Sequence, residues 1–196
     1  QIPARHKLRT AAMVVVAAFM IALSVIAVQY VSKREAPPSS KEIRLVVLPF
    51  ENLGSTEDEY FADGMTEEIT SRLAMVSGLG VISRTSAMQY KENRPSLKHI
   101  GPELGVDYVL EGTVRWAKSP DGPGRVRITP QLIRVADDRH LWADNLEREL
   151  EDIFAVQAEI AQQVIAGLGV TLLTTERTAL EDRPTDSIPA YQAFLR

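Results

Sequence analysis

The sequence predicts an α/β domain whose mixed sheet has about five strands in the order β-α-β-α-β-β-β-α, with helices packed on it. Three patterns in the 196 residues lead to this prediction. A continuous apolar run at Ile43–Phe50 is typical of a strand that is buried on both faces. Downstream, apolar residues recur every three or four positions, as they do in amphipathic helices. From Tyr108 onward the apolar period changes to two, which predicts the strands of a meander.

The first half of the domain contains two predicted βα units. The helix after the first strand has an apolar stripe at Phe61, Met65, Ile69, Leu73 and Val76. Gly80–Arg84 is expected to be the second strand, and another helix follows it. Ser96 is expected to cap that helix at its start, and Gly105 is expected to close it. Because parallel strands need crossover connections, the two βα units predict parallel pairing in this half of the sheet.

The second half is predicted to be a three-stranded meander followed by a long helix. Tyr108–Trp116 and Arg125–Ile133 alternate between apolar and polar residues, and a third strand is expected to begin at Leu141. Pro130 interrupts the second of these strands, which indicates a sheet edge or a bulge. The final helix has its apolar stripe at Ile153, Val156, Ile160, Val164, Leu168 and Leu172.

An uncharged segment at residues 10–31 predicts one transmembrane helix. About 20 apolar residues are needed to cross the hydrocarbon core of a bilayer, and the segment has that length. A buried core helix would rarely lack a polar face for so long, and the apolar core of a cleaved signal peptide is normally shorter. Arg5, Lys7 and Arg9 precede the segment, whereas only Lys33 and Arg34 follow it closely, which favours a cytoplasmic N-terminus. The soluble domain is therefore expected outside the cytoplasm.

The chain is accordingly expected to have five segments. Residues 1–9 are a cytoplasmic juxtamembrane tail, residues 10–31 the transmembrane helix and residues 32–42 a linker rich in Pro and Ser. Residues 43–183 form the α/β domain. Residues 184–196 combine a proline-containing linker with the start of a further helix. We expect these segments to be a window on a longer protein.

The charge distribution and the absence of cysteine exclude several classes of function. The net charge is −4, but five of the 22 Lys and Arg residues precede Glu35 and none of the 26 Asp and Glu residues does. The part from Glu35 onward therefore carries a net charge of −9, which repels phosphate backbones and argues against nucleic-acid binding. The lack of cysteine excludes disulfides, Cys-ligated zinc and thiol catalysis.

The sequence contains none of the common catalytic or cofactor-binding motifs. It has no Gly-rich phosphate loop, no GxSxG nucleophile motif and no HExxH zinc motif. His6, His99 and His140 are isolated in sequence, and the acidic run at Glu57–Glu59 lacks the spacing of a calcium loop. We therefore predict no catalytic residue, no cofactor and no metal ligand in this chain.

One candidate surface remains at the carboxyl ends of the first predicted strands. Ligands of open α/β sheets bind beyond the carboxyl ends of the strands. Asn52, Asp63 and Arg84 follow the first two predicted strands, so they are the residues expected at a ligand or partner surface. For Asp63 the alternative is a purely structural role near the start of a helix.

Seven strings occur in order between Ile43 and Leu173: VVLPFENLG, EYFADGMTEEI, VISRTSAMQY, ELGVDYVLEGTVR, RVRITPQLI, HLWAD and LEDIFAVQAEIAQQV. Together they resemble the TolB N-terminal-like domain of bacterial membrane signalling proteins. The resemblance implies a transmembrane helix before the domain and tetratricopeptide repeats after it, with residues 184–196 leading into the repeats. It also implies a cytoplasmic N-terminal domain that is a serine/threonine kinase, a winged-helix DNA-binding domain or an adenylate cyclase. It supplies no catalytic residue.

These observations lead to one expected function and two kinds of alternative. We expect a non-catalytic, membrane-tethered interaction or sensing module that links a cytoplasmic output domain to an extracytoplasmic repeat scaffold. Its partners are expected to be proteins and the lipid bilayer of the bacterial inner membrane, and homodimerisation is left open. The chain is alternatively part of a receptor-type serine/threonine kinase, an adenylate cyclase or a winged-helix regulator, with the activity upstream of residue 1. A small-ligand pocket near Asn52, Asp63 and Arg84 is the other alternative.

Overall fold

The computed structural model of the protein describes residues 42–119, 122–183, 185 and 187–195. The predicted juxtamembrane tail, the transmembrane helix and nearly all of the Pro/Ser linker lie outside this part of the chain. Within it, no helix combines the length and the apolar character that are needed to cross a bilayer. The span at residues 10–31 therefore stays a prediction.

Seven strands in the described part form one mixed sheet. They are β1 Ile43–Val47, β2 Glu51–Asn52, β3 Leu79–Val81, β4 Tyr108–Ser119, β5 Gly122–Arg134, β6 Arg139–Ala143 and β7 Leu146–Glu149. The strand order is β3-β1-β4-β5-β6, with β2 beside β4 and β7 beside β5. β1 is parallel to β3 and β4, as the two crossover units require, whereas β5 is antiparallel to β4, β6 and β7. The predicted α/β class with a mixed sheet is confirmed.

Six helices accompany the sheet in the described part. They are α1 Glu59–Ala74, α2 Arg84–Ala87, α3 Leu97–Leu104, α4 Ile153–Leu168, α5 Thr174–Glu181 and α6 Ile188–Leu195. The predicted ends of α3 are confirmed: Ser96 is its N-cap, and Gly105 closes it with a φ of 62°. This left-handed conformation suits glycine because glycine has no Cβ to clash with the backbone.

Hydrophobic cores lie on both faces of the sheet. The larger core lies between one face and the helices α1 and α4, and all five predicted stripe residues of α1 are buried in it. The smaller core lies on the other face, where α2 and α3 cover Val46, Leu48 and Val109. Successive residues of a strand point to opposite faces, so β1 contributes Leu45 and Val47 to the larger core and Val46 to the smaller one. The prediction of a strand buried on both faces is confirmed.

The number of strands is seven and not about five. The predicted third strand of the meander is broken after Ala143, so that β6 pairs with Gln131–Arg134 and β7 pairs with Arg125–Ile128 of the same neighbour. A further short strand, β2, adds two residues beside β4. The predicted strand at Gly80–Arg84 was placed too late, because Ser83 already caps α2 with its hydroxyl.

Two other expectations needed correction. Of the two alternatives for Pro130, the sheet edge is wrong, because β5 has β4 on one side and β6 and β7 on the other. The register of β5 against β6 does shift close by, between Leu132 and Ile133. The carbonyl of Pro130 accepts from the Asp144 N–H at 3.2 Å, so its nitrogen faces the gap between β6 and β7, where no ladder donor is needed. The long final helix ends earlier than predicted: Gly169, with a φ of 69°, closes α4, and Leu172 lies in the connection to α5.

Candidate functional site

Asn52, the first predicted site residue, organises a loop directly after β2. Its side-chain Oδ1 accepts from the Gly54 N–H at 2.9 Å, and its Nδ2 donates to the Ser55 carbonyl at 2.6 Å. Both contacts are with residues two or three positions away, as is usual for Asn in a tight turn. The amide of Asn52 thus stabilises the loop through both of its polar atoms. The half-buried side chain also forms part of the wall of a cleft, which is described below.

Asp63 lies on α1 and forms a partly buried ion pair with Lys91. Both carboxylate oxygens of Asp63 lie 2.7 Å from the Lys91 Nζ, and Glu59, one helical turn earlier, lies 3.1 Å from the same nitrogen. Burial opposes the charge on Lys91, but the hydrogen bonds that its amine donates to Asp63 and Glu59 outweigh this effect and raise the pKa of the amine. Lys91 therefore stays protonated and links the start of α1 to the segment after α2.

Arg84, the third predicted residue, begins α2 and contacts a different carboxylate. Its Nε lies 3.6 Å from Glu67, and both side chains are largely exposed. Glu67 is one turn beyond Asp63 on α1, so the pairs of Asp63 and Arg84 are neighbours on one side of this helix. The two predicted residues do not contact the same group.

A cleft of about 320 Å³ follows the carboxyl end of β1. Its walls are Phe50, Glu51, Asn52, Glu59, Lys91, Glu92 and Arg94. Asn52 thus lines the cleft, Asp63 is connected to it through Lys91, and Arg84 is not among its lining residues. Arg94 donates to the carbonyl of Pro49 and fixes the floor just after β1. The position agrees with the rule for α/β sheets, but the polar walls come mainly from residues that the sequence did not single out.

The charged lining residues that the sequence did not assign to the site are Glu51, Glu59, Lys91, Glu92 and Arg94. The sequence signal that was available is the charged run beginning at Lys91, which lies between two short helices with no clear periodicity. In the part of the chain that the structure describes, no group of three or more His, Asp and Glu residues could hold a metal ion. The cleft has three carboxylates against two cations, and its amine is already paired with Glu59 and Asp63.

A second groove lies between α4 and α5. It encloses about 400 Å³ above an apolar floor that includes Ile165, Val170 and Leu172. A neighbouring depression of about 230 Å³ shares Gln162 and Glu181 with it. The Gln162 Nε2 donates to the Glu181 carboxylate at 3.2 Å and so bridges the two helices at the point where the depressions meet.

The last helix, α6, is docked on the α/β domain. Tyr191 is only 3% exposed, and its hydroxyl accepts from the Nε2 of the fully buried Gln157 at 2.9 Å. The Tyr191 ring also meets Phe154 edge-on, with ring centroids 4.8 Å apart. On the other side, a Cβ added at Gly64 of α1 would lie 2.4 Å from the Leu195 Cδ2. A larger residue at Gly64 would therefore require the Leu195 side chain to move.

The chain is similar to a protein of Rhizobium meliloti (strain 1021) named "Putative adenylate cyclase 3". The two are 43% identical over 164 residues, which cover 83% of this chain. The chain spans only 27% of the length of that relative. No protein-family model matches the chain.

Several solved structures are also similar to the chain. PelC from Paraburkholderia phytofirmans, described as a dodecamer, is 20% identical with a TM-score of 0.45, and the match covers 66% of this chain and 89% of PelC. A lipoprotein of Neisseria meningitidis is 15% identical with a TM-score of 0.48, over 63% of this chain and 99% of the lipoprotein. TolB from Acinetobacter baumannii is 14% identical with a TM-score of 0.46, over 65% of this chain and 28% of TolB. These scores are too low to establish a common fold.

Proposed function

We propose that this chain is a non-catalytic connector module of a membrane-bound adenylate cyclase. The observation that carries the proposal is the 43% identity to a protein named as a cyclase, of which the chain spans only 27%. A fold does not define an activity, and a shared quarter of a protein need not contain its active site. In this proposal the cyclase activity lies in another part of the polypeptide, and the present chain positions that part and binds partners.

The geometry supports a connecting role because the charged side chains near the cleft are used to hold helices together. Lys91 joins α1 to the segment after α2, and Arg84 joins α2 to α1. The docked α6 presents Phe194, which is 78% exposed, on its outer side. Because a single exposed aromatic residue is common on protein surfaces, the docking of α6, and not Phe194 alone, supports a connection to a further protein element.

The proposal also includes the domain family and the cellular location that the sequence predicts. The chain is taken as a TolB N-terminal-like module with a transmembrane helix at 10–31, an extracytoplasmic α/β domain and repeats that follow residue 184. Protein partners and a homodimer fit this arrangement. The relative named as an adenylate cyclase favours this alternative over a serine/threonine kinase or a winged-helix domain upstream.

Activity measurements test the catalytic part of the proposal. The full-length protein should form cyclic AMP from ATP and Mg²⁺, whereas the 196-residue chain alone should form none. Cyclic AMP made by the isolated chain would contradict the non-catalytic assignment. A full-length protein without cyclase activity would favour the kinase or winged-helix alternatives.

Cysteine labelling tests the location, because the chain has no native cysteine. Ala136→Cys places a thiol in the exposed turn between β5 and β6, and Lys7→Cys places one before the predicted span. In intact spheroplasts an impermeant maleimide should label the first variant and leave the second unlabelled until lysis. The reverse pattern would place the α/β domain in the cytoplasm.

A small-ligand function is the second candidate, and the cleft after β1 favours it. Because Glu51, Glu59 and Glu92 outnumber the cations in its walls, a cationic or zwitterionic ligand fits better than an anion. Thermal unfolding should shift upward with such a ligand in a panel of amines and amino acids. The shift should disappear in Glu92→Gln, and a panel without any shift would remove this candidate.

A further inference from the structure

Two buried charged side chains hold α5 at opposite ends. Glu176, in the first turn of α5, accepts from the Ser77 N–H and from the Leu173 N–H, both at 2.7 Å. Arg72 of α1 is 4% exposed and donates to the carbonyl of Leu180 and, at 2.9 Å, to that of Asp182. The Leu173 amide and the Leu180 and Asp182 carbonyls lie at the two ends of α5, where a helix leaves backbone groups unpaired, whereas the Ser77 amide lies just after α1. We call Arg72 and Glu176 the latch.

Both parts of the latch are located at the C-terminal end of α1. Arg72 lies in the last turn of α1, and Ser77 lies just after that helix. Asp182, which Arg72 also contacts, is the first residue of the connection from α5 to α6. The latch therefore determines where the chain leaves α5 and sets out toward α6.

α5 depends on these contacts for its stability. It has only eight residues, and isolated helices shorter than about 12 residues are marginal in water. Among its described side chains, Leu180 and Glu176 are buried. The contacts of α6 with the domain are separate from the latch, since they are made by Tyr191 and Leu195 with α4 and α1.

We propose that α5 and α6 form a helical strap that opens as a unit from the α/β domain, and that the latch holds the strap closed. Opening exposes the groove between α1 and α4 in which Tyr191 lies, while the sheet and its two cores stay intact. When the strap is closed, it joins the α/β domain rigidly to the segment that follows α6. When the strap is open, this connection is flexible. This proposal does not depend on the proposed cyclase.

Hydrogen exchange of the full chain in detergent micelles tests the strap. Arg72→Met removes the charge and leaves the carbonyls of Leu180 and Asp182 unsatisfied, which should increase the opening of the strap about tenfold or more. Exchange should accelerate by this factor in both α5 and α6. The amides of β4 and β5, which lie in the middle of the sheet, should exchange as in the parent protein.

Two further variants test whether α5 and α6 open together and whether the effect is specific to Arg72. Tyr191→Ala removes the buried ring that docks α6 and, because the strap opens as a unit, both α5 and α6 should exchange faster. Faster exchange of α6 with α5 still protected would show that the two helices open separately. Arg84→Met is the matched control, because it removes an exposed arginine that contacts the same helix α1, and it should change neither element.

Three other results would overturn the proposal. Unchanged exchange of α6 in Arg72→Met would show that the latch does not hold the strap. Equal acceleration in β4 and β5 would show that α5 and α6 unfold only with the whole domain. The same acceleration in Arg84→Met would show that any weakening of α1 has this effect.

Discussion

At the residue scale, the ion pairs along α1 differ in burial, and the difference should decide their contribution to stability. The Lys91 and Asp63 side chains are 26% and 24% exposed, whereas Arg84 and Glu67 are 42% and 52% exposed. Removing one partner from a partly desolvated cluster of an amine and two carboxylates should lower the free energy of unfolding more than removing one partner from an exposed pair. Water screens the charges of the exposed pair, so that pair contributes less.

Substitution of the two cations tests this difference. Lys91→Met should lower the free energy of unfolding by about 1 kcal/mol, since it leaves Glu59 and Asp63 without their shared cation. Arg84→Met should change it by less than about 0.5 kcal/mol. Urea unfolding can be followed by fluorescence, because both tryptophans, Trp116 and Trp142, lie in the sheet. An equal effect of both substitutions would show that burial of the Lys91 cluster is unimportant.

Tyr191 carries a second prediction at the residue scale. Burial raises the pKa of its hydroxyl from 10.0 to about 12, and the hydrogen bond from Gln157 offsets only part of this shift. The raised pKa means that the folded state holds the proton between pH 10 and pH 12 whereas the unfolded state loses it. The docking of α6 is therefore fully favourable below about pH 10 and weakens as the pH rises toward 12.

Ultraviolet titration of tyrosinate in the five-tyrosine chain checks this prediction. The parent protein should show a late ionisation near pH 12 that is missing in Tyr191→Phe. Because Tyr90 also has a raised pKa, which burial and then Glu103 cause, Tyr90→Phe is the control variant. Persistence of the whole late phase in Tyr191→Phe would contradict the assignment to Tyr191.

At the element scale, α5 should be sensitive to acid. The hydrogen bonds that Ser77 and Leu173 donate to Glu176 hold the pKa of this carboxyl below its usual value of 4.5. A lowered folded pKa means that the stabilisation is present above about pH 4.5 and is lost as the pH falls through the folded value.

Nuclear magnetic resonance can follow this loss at the two donor amides. The Ser77 and Leu173 amide shifts should move together below about pH 4.5, and the exposed α5 should lose helical shifts in the same range. In Glu176→Gln these amides should show no such titration. Movement of the Ser77 amide in that variant would assign the effect to another carboxyl.

The elements also differ in how far the sequence predicted them. The first strand followed from the continuous apolar run at Ile43–Phe50, because both faces of β1 are buried, and the stripe of α1 followed from its helical period, because these side chains face one core. The division of the last predicted strand into β6 and β7 could not be predicted from the sequence pattern, because it depends on which part of β5 each half pairs with. A two-residue strand such as β2 has no period that a sequence pattern could detect.

At the scale of the whole molecule, the buried Tyr191 makes α6 a part of the α/β domain. A chain that ends after Ser187 would leave Phe154 and Gln157 exposed, and burial of a large side chain contributes about 2 kcal/mol. We expect urea unfolding of this shortened chain to show a loss of about that size with a single transition. Phe194→Ala in the 196-residue chain is the control, and it should change the free energy of unfolding little, since Phe194 is 78% exposed. A shortened chain as stable as the parent would show that α6 docks without stabilising the domain.

The amino-acid sequence by itself determined the α/β class, the mixed strand directions, the stripe of α1, the stripe of α4 as far as Leu168, and the caps at Ser96 and Gly105. It could do so because these features depend on residues that are close in the chain. It also pointed to the end of β1, where Asn52 lines a cleft.

Only the tertiary structure decided which charges meet. Lys91 is 28 positions from Asp63, Glu176 is 99 from Ser77, and Arg72 is 108 from Leu180. No periodicity connects such distant residues, since their contacts result from the way the segment after α2, together with α5 and α6, packs against α1 and α4. The cleft and the latch both depend on α1, and for that physical reason neither could be predicted from local pattern.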